Sequence, residues 1–169
     1  MAEEKSELVT IVSILTRRLK EGMTYEDFRK AWFHTTGFSI GGNDVEGSSN
    51  RMYSLINIFD PREIIVLGFG TGTVKQLEDA LNIDVKFRSE NPLDKVIESD
   101  IGRKFCALIS EDDFSAVGDI PYKHPGIGGK ETDLAEFENN LQILQNLFTD
   151  ASKKRDAINE ERKKRDGSG

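Results

Sequence analysis

Two alternating apolar runs, Arg51–Phe59 and Glu63–Phe69, meet at Asp60-Pro61-Arg62 in the middle of the chain. β-Branched and aromatic residues favour extended structure in both runs, while Pro61 fixes its own φ and pushes Asp60 toward an extended geometry. The pattern predicts a β-hairpin turning at residues 60–62. Its surroundings narrow the fold further. Leu8–Thr16 reads LVTIVSILT, too short and too β-branched for an amphipathic helix, and predicts a first strand. Lys104–Ser110 predicts a last one.

Helical signals separate these strands. Thr24 is a fitting N-cap, Glu26 and Asp27 suit the first turn, and Tyr25, Phe28 and Trp32 share a face, which predicts a helix from Tyr25 to Thr36. Gly37 supplies its stop, and residues 38–50 predict a long glycine-rich loop. Val74, Leu77, Leu81 and Val85 keep helical spacing, predicting a helix from about Thr73 to just before Asn91. Asn91-Pro92 predicts a further short helix carrying Leu93, Val96 and Ile97. Residues 111–130 hold Pro121, Pro125, Gly126, Gly128 and Gly129 and predict an extended loop. Asp133 and Glu136 then open a helix whose Leu134, Phe137, Leu141, Leu144, Phe148 and Ala151 recur at intervals of three and four.

The resulting order is that of a split β-α-β, ferredoxin-like α+β domain over residues 1–130, with an appended amphipathic helix over 131–166 and a disordered tail at 167–169. Right-handed crossovers place both main helices on one face of an antiparallel sheet. Apolar residues nevertheless occupy both parities: Val9, Ile11 and Leu15 alternate with Leu8, Val12 and Ile14, and Ile64 and Val66 with Ile65 and Leu67. The second face therefore needs a cover. The expected cover is a second subunit joined through that face, with the C-terminal helix also at the interface.

The segment Thr24-Tyr25-Glu26-Asp27-Phe28-Arg29-Lys30-Ala31-Trp32-Phe33-His34-Thr35-Thr36-Gly37, following a β-rich strand, resembles the first helix of the dimeric α+β barrel superfamily, particularly its EthD-like and antibiotic-biosynthesis-monooxygenase-like members. The resemblance implies ferredoxin-like subunits whose sheets close into a barrel across a dimer. It also implies a small apolar or aromatic ligand in the barrel or, alternatively, cofactor-independent oxygenation of an aromatic substrate. The chain departs from the catalytic pattern. Thr36 stands where EthD-like helices carry a histidine, His34 comes two residues early, and the first strand offers Thr10 and Ser13 where monooxygenase members commonly use an asparagine.

Within that reading, His34 and Tyr53 are the candidate catalytic groups, and Tyr25, Phe28, Trp32 and Tyr53 the candidate ligand-binding ones. The competing account of Tyr25, Phe28 and Trp32 is a core stripe, and that of His34 an exposed histidine near a helix end. A separate alternative is nucleotide or S-adenosylmethionine binding at Gly68-Phe69-Gly70-Thr71-Gly72-Thr73, where Gly68, Gly70 and Gly72 would bare the backbone and Asp84 would meet a ribose. A third is a non-catalytic assembly module built on the C-terminal helix.

Composition bounds the rest. A formal net charge of −7 argues against a nucleic-acid surface. No run is long and apolar enough to span a bilayer, and the polar, acidic start is unlike a secretory signal, so a cytoplasmic location is expected. Cys106 is the single cysteine and lies in an apolar run, which predicts a small buried group. His124 has no partner pattern around it, and Glu111-Asp112-Asp113 reads as an acidic turn, so no metal and no cofactor is expected.

Overall fold

A computed structural model describes residues 8–33, 46–98 and 102–167. The chain is an α+β protein with β1 (Val9–Arg18), α1 (Tyr25–Trp32), β2 (Ser49–Asn57), β3 (Asp60–Gly72), α2 (Val74–Glu90), β4 (Gly102–Ala107), β5 (Gly126–Ile127), β6 (Lys130–Glu131) and α3 (Leu134–Asp166). β1 to β4 form one antiparallel sheet in the order β2-β3-β1-β4. β3 lies between β2 and β1, and β1 lies between β3 and β4. That interleaving is what a split β-α-β arrangement requires.

Side-chain parity follows from the register. Ser13 pairs with Gly68 and Phe105, Leu15 with Val66 and Arg103, and Gly68 with Met52. These residues share one face with Ile11, Arg17 and Ile64. All three helices pack on that side. Phe28 of α1 buries against Leu19, Ile64, Val66 and Ile97, and Leu77 of α2 against Ile11 and Leu144 of α3. The rings of Phe105 and Phe148 stack with centroids 4.1 Å apart. The middle of the C-terminal helix, at Leu144, Leu147 and Phe148, thus packs on its own chain on the same side as α1 and α2, whereas Leu134 at its start is exposed.

The other face carries Val12, Ile14, Tyr53, Leu55, Ile65, Leu67, Phe69 and Cys106 by the same register. Cys106 is exposed, contrary to the burial its apolar neighbours predicted. In a strand, residues next to one another point to opposite sides, so Phe105 and Ala107 go inward and Cys106 faces out.

Local chemistry explains where elements begin and end. Thr24 and Thr73 cap α1 and α2, each in a reciprocal box with Asp27 or Gln76 three residues on. Asp133 accepts from the amides of Ala135 and Glu136 to start α3. Helix α1 stops at Trp32, short of the expected Thr36, because Phe33 is already extended at φ −69° and ψ 127°. His34 lies outside the described residues, as does most of the predicted loop at 38–50.

The hairpin turns earlier than predicted. The side-chain carbonyl of Asn57 accepts from the Phe59 amide at 2.9 Å, so the chain reverses at Ile58-Phe59. Pro61 sits instead in a bulge, since the register jumps from Ile56↔Ile64 to Asn57↔Asp60. A bulge tolerates the missing proline N–H. The turn residues Ile58 and Phe59 are 89% and 95% exposed.

Two further corrections concern short segments. Residues 91–98 make one turn rather than a helix, because Glu98 N–H donates to Arg18 and Lys20 N–H to Val96, drawing the chain into an extended bridge beside β1. Within the predicted loop, Gly128 and Gly129 have φ of 58° and 80°, the two left-handed positions of a tight hairpin joining β5 and β6. The neighbouring acidic run 111–113 is irregular rather than the expected turn, with Asp112 accepting from Ser110 and Asp113 from Ser115.

Candidate functional site

A cavity of about 100 Å³ lies between the helix-bearing face of the sheet and the helices. Its floor exists because small residues align across two adjacent strands: Ser13 of β1 stands opposite Gly68 of β3, and Gly70 is the next β3 residue on that face. Gly68 is constrained. A Cβ there would come within 2.5 Å of Ser13 Oγ and 2.6 Å of Met52 Sδ, so the glycine makes room for these two side chains. Leu77, Ala80 and Leu81 of α2 form the roof, and Trp32, Phe105 and Phe148 close the sides. Such a volume holds several waters or about one aromatic ring.

One end of the cavity is charged. Asp84 of α2 accepts from Nη2 of Arg103 at 3.3 Å, and its other oxygen is 3.9 Å from Nε of Arg88 one helical turn on. The Arg103 guanidinium lies 4.9 Å from the centroid of the Phe105 ring. Its Nε is buried and has no hydrogen-bond partner among the described residues. An unmet buried donor costs about 1–3 kcal/mol, more when charged. Arg17, 7% exposed, donates to the carbonyls of Thr16 and Gly102, both at 3.0 Å. A smaller compartment of about 40 Å³ lies among Arg17, Arg88, Arg103 and Trp32.

Burial pushes the Arg88 guanidinium down to about 10, Asp84 opposes that shift, and Arg103 and Arg17 add to it. Arg88 therefore stays protonated at neutral pH, in surroundings already positive. Its Nη1 donates to the Ala31 carbonyl at 3.2 Å and its Nη2 to that of Trp32. It thereby satisfies carbonyls at the end of α1 that the helix itself leaves open.

The sequence-derived candidates divide between the two faces. Phe28 is 1% exposed and is core. Trp32 stacks on it at 6.0 Å and also lines the cavity, whereas Tyr25 packs half-buried on the core. Tyr53 lies across the sheet, edge-on to Phe69 at 5.8 Å and 50% exposed. Tyr53 and Trp32 therefore cannot meet one ligand in this subunit, which separates the proposed polar group from the proposed aromatic wall. No histidine or cysteine lines the cavity among the described residues.

The glycine-rich segment is also placed differently from a nucleotide loop. Gly68, Gly70 and Gly72 all lie inside β3, which pairs with β1 along this stretch, and only Thr73 separates strand from helix. Backbone committed to a ladder does not form the open turn that cradles a phosphate. His124 sits beside Tyr122 in a loop at 5.8 Å between rings. No group of three or more metal-ligating side chains occurs among the described residues.

Arg103, Arg88 and Asp84 are the residues that sequence reasoning missed as a group. The Asp84 and Arg88 pair has the i,i+4 spacing of a helical ion pair, a local signal, whereas Arg103 joins them only through the pairing of β1 with β4. A wider crevice of about 300 Å³ runs between α2 and α3, but exposed Glu78, Asp150, Lys153 and Lys154 line much of it.

Among the described residues, no helix is long and apolar enough to cross a membrane. No protein-family model, curated protein or solved structure matches the chain.

Proposed function

We propose that the chain is a small-molecule-binding protein of ferredoxin-like architecture that works as a homodimer, with one ligand in each subunit's cavity. The carrying observation is the cavity itself, a largely apolar space lined in part by Ser13, Gly68 and Gly70, with charged groups confined to one end. This moves the ligand from between two sheets, where the barrel resemblance would put it, to between sheet and helices. Titration of the protein with single-ring compounds, followed by amide chemical shifts, should perturb Ser13, Leu77 and Phe105. Ser13→Leu, which fills the floor, should abolish those shifts in a folded protein. Persistence of the shifts in that variant would reject the site.

The dimer rests on the sheet's second face. Four strands at ~4.8 Å spacing and ten residues at ~3.4 Å rise span roughly 600 Å². That approaches the ~800 Å² per partner of a standard interface, and the exposed Ile58 and Phe59 extend the apolar area at the hairpin tip. By the register Arg18, Arg51 and Lys104 lie on this face with Asp60 and Glu63, so the chain's acidic excess does not set two copies against each other there. Cys106 reports on the contact directly. Alkylation of its thiol should slow as protein concentration rises through the dimer range seen by sedimentation. A rate independent of concentration would count against this face.

A further inference from the structure

We infer that the cavity takes a small organic carboxylate, with the carboxylate held by Arg103 and the apolar body against Phe105, Phe148 and Leu77. This rests on the proposal that the cavity is a ligand site and adds the ligand's chemistry.

Three observations carry it. Arg103 lines both compartments, yet its buried Nε has no acceptor among the described residues. A guanidinium pairs with a carboxylate through adjacent N–H groups in a planar fork, and Nε is one arm of that fork. Second, Arg17, Arg88 and Arg103 all line this end of the cavity, with Asp84 3.3 Å from Arg103 and 3.9 Å from Arg88, so the surroundings favour an anion. Third, the remaining wall is aliphatic and aromatic and the space suits about one ring. An acceptor at one end and an apolar body at the other describe an aromatic or branched carboxylate.

Benzoate and benzamide separate charge from shape, because both present a carbonyl acceptor on the same ring and differ in charge. Calorimetry and amide shifts on the full chain should show benzoate binding at least about tenfold more tightly than benzamide, with perturbations at Arg103, Phe105 and Leu77. Arg103→Gln should remove that preference, and Arg103→Lys should keep part of it. Equal affinity for the two ligands overturns the carboxylate inference and leaves the cavity as a neutral-ligand site. If neither ligand perturbs the cavity residues, the inference fails together with the single-ring reading of the cavity. If Arg103→Gln does not fold, the wild-type ratio and Arg103→Lys decide: a ratio near one in the wild type, or an unchanged ratio in Arg103→Lys with no shift at residue 103, overturns the role of Arg103.

Discussion

Arg88 of α2 holds the end of α1 by donating to the backbone carbonyl of Trp32. The same guanidinium donates to Ala31 and faces Asp84, so one side chain ties two helices to the charged end of the cavity. Its burial opposes its charge, whereas its hydrogen bonds favour it. Arg88→Met removes both. Global stability should therefore fall by only about 1 kcal/mol, well below the 3–5 kcal/mol of a broken buried ion pair, because Asp84 keeps Arg103. The local effect should be larger. Hydrogen exchange should quicken in the last turn of α1, including the Phe33 amide that bonds to Arg29, and unchanged protection there would refute the capping role.

Gly68→Ala tests the origin of the cavity floor. The new methyl group meets Ser13 Oγ and Met52 Sδ well inside contact distance. Met52 can swing aside because its sulfur is far along a flexible chain, so the cost should stay near 1 kcal/mol, at the low end of overpacking. Gly68→Val should cost about 2–3 kcal/mol. Adding Ser13→Ala to Gly68→Ala should restore part of the loss in urea unfolding. An additive double mutant would show that the two side chains do not compete for this space.

Asp60 anchors the base of the hairpin and should make stability pH-dependent. The hydrogen bond from Arg18 holds its carboxyl below the ordinary value of 3.8, burial pulls the other way, and the Arg62 amide adds to the lowering. A carboxyl lowered on folding contributes stability above its unfolded pKa and loses it as pH falls through the folded value. Wild type should therefore exceed Asp60→Asn modestly in Tm at pH 7, with the gap closing below pH 3.8. A gap that persists in acid would assign the effect to something other than this charge.

Patterns within a single element were legible in the sequence. The caps at Thr24 and Asp133, the alternation along β2 and β3 and the seam of α3 each depend on neighbours a few residues away. What failed depended on competition between segments. Asn57 took the turn from Pro61, and the bridge from Leu19 to Ile97 took residues 91–98 from a helix. Cys106 is exposed against expectation because an apolar run does not reveal which parity faces inward. The cavity was less legible still: it needs Ser13 opposite Gly68 and Leu15 opposite Arg103, two alignments set only when β1 pairs on both sides. The Gly128-Gly129 dipeptide is by contrast a local hairpin signal, since both residues take the left-handed φ such a turn requires.

The division of the sheet by parity makes two properties genetically separable. Val12 and Ser13 are covalent neighbours, yet one belongs to the side proposed to meet a second subunit and the other to the cavity floor. A scan along β1 should alternate at every step between variants that change assembly and variants that change occupancy. A single strand can then tell whether the two activities are coupled, because a subunit that binds normally but stays monomeric would sit one codon away from a dimer that binds nothing.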